Sequence, residues 1–348
     1  MKAAVLTKYG RFEWREVPEP HIGDLQVLVK VNHSSICGSD LHIYKGEFHP
    51  RTKLPFIPGH EFAGTVSEIG RDVTRYRKGD RVAVDPIFWC GTCAACKLGH
   101  YPACNSLKLL GVDVNGGFGE YVAVEERMLY KLGPDISDKD AALIEVYSIG
   151  FHACNRAGIQ PKDTIAIWGA GRIGQCILQA ARTQNDNTIF LIDVLSERLT
   201  LPLNKYDNIV TINVKDENPN EIIKEITDGR GVDIAFEAVG HAVKLPDRMN
   251  PVQECIHCIR GAGTVCVLGL TTEPSPLFMR DLIWKEARIV ASRVNHGEFE
   301  QVIKYMSQGN LSPEILISKE MHTKDIQEAF QLLQRQPEKY LKIILNLS

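Results

Sequence analysis

The sequence predicts an α/β protein of two textures, a mostly β region followed by a doubly wound parallel sheet. Three observations predict it. Short β-type runs broken by Gly and Pro fill the chain to about residue 130, apolar strands alternate with helical stretches from about Ser148, and a Gly-x-Gly-x-x-Gly turn closes the first of those strands. The β-type runs lie at 27–31, 64–69, 81–84 and 120–124. The alternating half reads as a strand at 164–168, a helix from Ile173, strands at 188–192 and 209–212, a helix over 221–227, and strands at 232–236 and 264–268. Helical patterns near 298–307 and 323–335 and a β-like run at 341–345 complete the chain.

Composition bounds what such a chain does. Its 348 residues, 44% of them hydrophobic, suffice for two domains or three, each with its own core. Forty Lys+Arg against 43 Asp+Glu leave a net charge of −3, which excludes a sequence-independent grip on nucleic acid as the main business. No apolar run approaches the roughly 20 residues that cross a bilayer. The first residues lack the long apolar stretch of a signal peptide, so a soluble, cytoplasmic protein is expected. Ten cysteines in that compartment read as metal ligands or buried small hydrophobes rather than as a disulfide framework.

The glycine turn occupies Gly169, Gly171 and Gly174, with Arg172 and Ile173 inside it. Such a turn between strand and helix lets the backbone approach a pyrophosphate, with helix N–H groups and the positive end of the dipole aimed at it. Asp193 ends the next strand 19 residues beyond Gly174, where a carboxylate accepts hydrogen bonds from a ribose. Its charge repels a 2′-phosphate and favours NAD over NADP. Arg198, five residues further on, is the candidate for serving such a phosphate, against its reading as a solvated helix charge.

Two cysteine-containing clusters have metal spacing. Cys90, Cys93, Cys96 and Cys104 follow Cys-x2-Cys-x2-Cys-x7-Cys, which closes a tetrahedral structural zinc site, with an iron–sulfur cluster as the rival. Cys37, His60, Glu61 and Glu145 offer a thiolate, an imidazole and carboxylates, a mixed set that leaves a position open for catalysis. The bland alternatives are a core cysteine, a hydrogen-bonded histidine and a buried His60–Glu61 pair. The run Cys255-Ile256-His257-Cys258 reads as a helix with Cys255 and Cys258 on one apolar face rather than as a third metal site, and Cys154, Cys176 and Cys266 as core.

These motifs together resemble the zinc-dependent medium-chain dehydrogenases. The matching features are Cys-Gly-Ser-Asp-x-His at 37–42, Gly-His-Glu at 59–61, Gly-x-Val at 64–66, Lys-Gly-Asp-Arg-Val at 78–82, the four-cysteine loop, Gly-Gly-Phe-x-Glu-Tyr at 116–121 and the glycine turn. Within that family, Gly59-His60-Glu61 and Glu145 look more like the sorbitol and threonine dehydrogenase branch. The resemblance implies a GroES-like mostly-β catalytic domain from 1–150 plus 290–348, a Rossmann cofactor domain from 151–289, and an active site in the cleft. It implies two zinc ions per chain, with Cys37, His60, Glu61 and Glu145 at the catalytic one. Glu145 either ligates the metal or approaches it through water. Ser39 and His42 match a proton relay running through the nicotinamide ribose to solvent, Glu61 acts with them, and Leu268 and Arg293 join the glycine turn in holding NAD. Relatives are commonly homodimers or homotetramers.

The implied reaction is oxidation of an alcohol with hydride transfer to nicotinamide. A polyol, sugar alcohol or cyclitol is the expected substrate, with Tyr44, Phe88 and Tyr147 facing it and Phe56 and Asp113 nearby. Lys45, Arg51 and Lys53 are positioned in sequence to meet an anionic group, should the polyol be phosphorylated. Threonine, a zinc-ribbon nucleic-acid binder and a nucleotide-binding protein without catalysis are the alternatives. Val146 and Tyr147 replace a usual proline-containing run after Glu145, and Asn204-Lys205-Tyr206-Asp207 replaces a usual Gly-Ala-Asp turn.

Overall fold

The computed structural model describes residues 1–240, 248–271 and 274–347. The chain divides into two compact units, Met1–Val146 with Phe299–Gly309 and Leu316–Ser348, and Tyr147–Glu298 with Asn310–Ile315. Residues 147–150, 290–298 and 310–315 thus group with the second unit rather than the first.

The first unit is built on a seven-stranded sheet. Its order is Ile317–His322, Lys342–Asn346, Gln26–Ser35, Glu61–Ile69, Arg81–Val84 and Leu129–Lys131, with Tyr121–Glu125 also paired to Gln26–Ser35. The alternation of Val27, Val29 and Val31 sends all three into one core with Phe62, Val66, Val82 and Val124. A second core joins Phe12, Tyr44, Phe118 and Phe330. The last strand pairs antiparallel with residues 33–35, and this brings the C-terminal segment to the loop that follows Ser35.

The second unit is an entirely parallel six-stranded sheet among the described residues. Its order is Ile209–Asn213, Ile189–Asp193, Ile165–Trp168, Val232–Glu237, Ile259–Val267 and Arg288–Ala291. Every residue of the strands Ile165–Trp168 and Ile189–Asp193 is buried, as parallel strands covered on both faces require. The strand order reverses between Ile165–Trp168 and Val232–Glu237, and a ligand crevice forms at such a switch point, beyond the carboxyl ends of the strands. The helix Arg172–Arg182 starts there, directly after the glycine turn. Among the described residues no helix is long and apolar enough to cross a membrane.

Candidate active site and nucleotide turn

The candidate catalytic cluster forms where the end of one strand and the start of the next meet a helix N-terminus. Cys37 caps the helix Gly38–Lys45, and Glu61 opens the strand Glu61–Ile69. Ligand atoms of Cys37, His60 and Glu61 all lie within 4.8 Å of one another. His60 presents Nε2 3.2 Å from Ser39 Oγ and Nδ1 3.6 Å from Asp40 Oδ1. A carboxylate behind a ligating imidazole fixes its orientation, and Asp40 is itself held by the Cys37 N–H, which donates to Oδ2 at 2.8 Å. Burial opposes charge on His60, but the neighbouring Asp40 carboxyl, the Cys37 thiol and Glu145 outweigh it and carry its pKa well above the ordinary histidine range.

Glu61 is committed through one oxygen only. Its Oε2 accepts from the Lys342 ammonium and from the Ser35 hydroxyl, and both members of the Lys342–Glu61 pair are 0% exposed. The other oxygen, Oε1, is buried with no hydrogen-bond partner among the described residues. A buried, uncommitted carboxylate oxygen beside a thiol and an imidazole is what a mixed-ligand zinc site needs, so these residues fit the metal. Glu145 is not a member of the three-residue cluster. It is buried in the first turn of the helix Ile144–Ala157, and desolvation, eased by His60 and reinforced by the Glu61 charge, pushes its pKa up to about 8.

The four cysteines of the loop also converge. Their sulfurs all lie within 4.8 Å, with Cys90 Sγ 3.9 Å from Cys96 Sγ. Tetrahedral ligation at a Zn–S length of about 2.3 Å spaces sulfurs by about 3.8 Å. Hydrogen bonds from the Thr92 and Cys93 backbone N–H groups and from the Thr92 hydroxyl pull the Cys90 thiol down to about 5, which favours the thiolate a metal binds. Cys154, Cys176, Cys255, Cys258 and Cys266 are buried, and His257 pairs with Asp281 at 2.9 Å, in keeping with a packing role.

In the nucleotide turn, Gly169 has φ +101°, and a Cβ on Gly174 would stand 1.7 Å from the Gly169 carbonyl oxygen. Only glycine meets both demands. Gly171 is the N-cap of the helix, so the first-turn N–H groups of Arg172, Ile173 and Gly174 are presented at the turn. Asp193 accepts from the N–H groups of Ala170 at 2.7 Å, Val194 at 2.7 Å and Leu195 at 3.0 Å. A carboxylate accepts about four hydrogen bonds, so acceptor capacity remains for a sugar hydroxyl. Arg198 lies in the short helix Ser196–Thr200 with a guanidinium nitrogen 3.9 Å from Asp193. Leu268 directly follows the strand Ile259–Val267, and Arg293 lies two residues beyond Arg288–Ala291.

Most of the side chains expected to face the substrate are engaged elsewhere. Tyr44 is 7% exposed, stacks on Phe12 at 5.6 Å and donates its hydroxyl to the Gly10 carbonyl at 2.5 Å, so it is a core residue and not a substrate contact. Tyr147 is 0% exposed and its hydroxyl donates to Gln179 Oε1 at 3.0 Å inside the second unit, which removes it as well. Phe56 is buried, and Asp113 is bound to Arg51 by two hydrogen bonds of 2.8 and 2.7 Å, which neutralise the expected anion-binding arginine. Phe88 remains, half-buried in the short strand Ile87–Phe88. Tyr206, whose turn had no assigned role, donates to the same Gln179 oxygen at 3.1 Å. The sequence reading gave no role to Asp40, although it is part of the Cys-Gly-Ser-Asp-x-His motif, or to Lys342, a lone cation inside an apolar β run.

Comparison with known proteins agrees with this geometry. Residues 23–134 match the alcohol dehydrogenase GroES-like domain and residues 173–308 the zinc-binding dehydrogenase domain. The chain is 32% identical over 351 residues to sorbitol dehydrogenase of Bacillus subtilis (strain 168), covering 99% of this chain and 97% of that protein. It is 32% identical over 337 residues to the starvation-sensing protein RspB of Escherichia coli (strain K12), covering 96% and 95%. Among solved structures it is similar to 2R,3R-butanediol dehydrogenase from Bacillus subtilis, with TM-score 0.89, 28% identity, and coverage of 100% and 99%. It is also similar to the RspB alcohol dehydrogenase of E. coli CFT073 complexed with NADH, with TM-score 0.90, 29% identity, and coverage of 100% and 99%. The chain belongs to the zinc-binding alcohol dehydrogenase family, oxidoreductases that act on CH–OH donors.

Proposed function

We propose that the protein reversibly oxidises a secondary hydroxyl of a polyol, sugar alcohol or cyclitol to the ketone, with NAD as hydride acceptor. The observation that carries this reading is the close set of Cys37, His60 and Glu61, the last two of them buried, with Glu61 Oε1 uncommitted among the described residues. Relatives named for sorbitol, L-idonate and (R,R)-butanediol support a substrate with neighbouring hydroxyls. Cys37, His60 and Glu61 would hold the catalytic zinc, with Glu145 near it, and Cys90, Cys93, Cys96 and Cys104 a structural one.

Bound there, the metal supplies Lewis acidity that lets a hydroxyl ionise near neutral pH, and the nicotinamide supplies the hydride acceptor. The chain does the rest. Ser39 Oγ, beside His60 Nε2, receives the hydroxyl proton, and His42, whose side chain is 32% exposed, releases it to solvent. Asp40 and Lys342 hold His60 and Glu61 in place, which aligns the reacting groups. The helix N-terminus at Gly171 would receive the pyrophosphate and Asp193 the adenosine ribose. Arg198, Leu268 and Arg293 complete the proposed cofactor residues, and Phe88 is the remaining candidate for substrate contact.

The same reading includes self-association through the second unit. Its edge strand Arg288–Ala291 pairs on one side only among the described residues, with Ile289 exposed, and the helix Met279–Lys285 that precedes it in sequence exposes Met279, Ile283 and Trp284. Antiparallel pairing of two such strands about Ile289 and Val290 sets each Arg288 opposite an Ala291, so no like charges face each other. Sedimentation of Trp284→Glu should give a smaller species than the unaltered protein, and an unchanged mass would remove this surface.

The function is tested by NADH formation from zinc-loaded protein across sorbitol, other sugar alcohols, cyclitols, polyol phosphates, 2,3-butanediol and threonine. Preference for a polyol or cyclitol supports the reading. Reaction with threonine alone would replace it.

A further inference from the structure

The helix that carries Ser39 and His42 ends in a way that returns an acid to the histidine. Gly46 adopts φ +84° as the C-cap of Gly38–Lys45, and the Glu47 N–H donates to the His42 carbonyl at 2.9 Å. This reversal lays the Glu47 carboxylate against His42, with Oε2 in hydrogen-bond contact with Nδ1. The loop beyond is fixed on both sides. Phe48 lies parallel to the His42 ring at 6.1 Å and 3°, Arg51 covers Phe48 at 6.0 Å, and Thr52 ties the loop to the Val112 carbonyl at 2.9 Å. A Cβ on Gly46 would come within 2.8 Å of the Tyr9 ring, so the turn itself is enclosed. The other Glu47 oxygen lies 3.9 Å from the Lys45 ammonium, on the outer side of the same turn.

We propose that Glu47 is a positioning residue for proton release, holding His42 by Nδ1–H so that Nε2 is the ring atom that takes up the proton. The proposal rests on the relay reading of Ser39 and His42. An ionised carboxylate only accepts, so a neutral imidazole bound to it carries its hydrogen on Nδ1 and keeps the Nε2 lone pair. Nε2 gains the proton that the upstream hydroxyl gives up, the carboxylate faces the resulting imidazolium, and Nε2 then passes the proton to bulk water. His42 ends neutral and the charges balance. Without Glu47 this carboxylate no longer favours hydrogen on Nδ1, and a larger share of the rings carries it on Nε2, where no further proton is accepted.

The test uses full-length, zinc-loaded protein labelled with 15N at histidine, in long-range 1H–15N spectra of the unaltered chain, Glu47→Gln and Glu47→Ala, with His42→Gln assigning the signal. The expected result is an Nδ1–H ring in the unaltered chain and in Glu47→Gln, whose amide oxygen still accepts. Glu47→Ala should move toward Nε2–H. With sorbitol or 2,3-butanediol as probe, kcat should fall about 3–10-fold in Glu47→Ala, a part of the 10²–10⁴ that a positioned proton acceptor is worth. KM for NAD should not change, and Glu47→Gln should recover most of the rate. A merely structural surface contact would move none of these together. An unchanged tautomer in Glu47→Ala, or an unchanged kcat there while His42→Gln is slow, overturns the proposal. If His42→Gln is itself as fast as the unaltered enzyme, the relay reading fails and the proposal falls with it.

Discussion

Replacing Lys342 by Met removes one charge from the most deeply buried ion pair of the first unit. Lys342 and Glu61 are both 0% exposed, and the ammonium also donates to Ser35 Oγ at 3.2 Å and to the Ile36 carbonyl at 3.4 Å. Methionine keeps the length of the stem and loses the charge, so Glu61 is left as a buried carboxylate whose remaining donor is the Ser35 hydroxyl. Removing one partner of such a pair costs about 3–5 kcal/mol, because desolvation of the survivor is no longer offset. At about 2–4 °C per kcal/mol for a unit of this size, the midpoint should fall by roughly 6–20 °C. The assay is thermal unfolding by circular dichroism at pH 7 on chelator-treated protein, where no metal neutralises Glu61. The double variant Lys342→Met with Glu61→Gln, in which no lone charge remains, should recover more than half of the loss. A metal-free single variant within about 2 °C of the unaltered chain would refute the reasoning, as would a double variant no more stable than the single one.

Two further outcomes follow from the same structure. Cys96→Ser, at a buried position of the four-cysteine loop, should lower the zinc content from two ions per chain to one while the ion at Cys37, His60 and Glu61 stays; metal analysis after dialysis reads this, and loss of both ions would contradict it. Asp138 supplies an acid-sensitive contact: burial raises its pKa, but hydrogen bonds from Arg81 and Asn32 outweigh that and hold it below the usual carboxylate range. Its stabilising contribution is therefore complete above the unfolded value of about 3.9 and is lost as pH falls through the lower folded value. At 36% side-chain exposure the contribution is below about 1 kcal/mol. Asp138→Asn should be less stable than the unaltered chain at pH 6, with the gap narrowing as pH falls below the unfolded value; a gap that widens in acid would reverse the sign.

The four-cysteine cluster and the glycine turn were readable in the sequence because their spacing is local. Cys90, Cys93 and Cys96 sit on one loop, Gly169 to Gly174 form one turn, and each short spacing specifies one geometry. The strands Ile165–Trp168 and Ile189–Asp193 of the parallel sheet were readable because they are buried on both faces and so read as apolar runs. The edge strand Arg288–Ala291 was missed for the opposite reason: it has four residues and none is buried. Lys342 lies 281 residues from Glu61, a pairing that only the sheet register creates.

The two displaced tyrosines share one physical cause. Tyr44 follows His42 by two residues and Tyr147 follows Glu145 by two, and in each case both residues lie on one helix. Helical residues two apart point about 200° away from each other, so a neighbour at that spacing leaves the functional side instead of lining it. Tyr44 accordingly enters the core with Phe12 and Phe330, and Tyr147 reaches Gln179. Within a helix, nearness in sequence predicts a shared face at spacings of three or four rather than two. Glu47 reaches its histidine by chain reversal instead. It is five residues from His42, outside the helix, and the left-handed turn at Gly46 brings its carboxylate to the imidazole that the intervening Tyr44 never approaches. Residues that touch this site from beyond its motifs are therefore to be sought at helix ends and sheet registers, which is where both Glu47 and Lys342 are found.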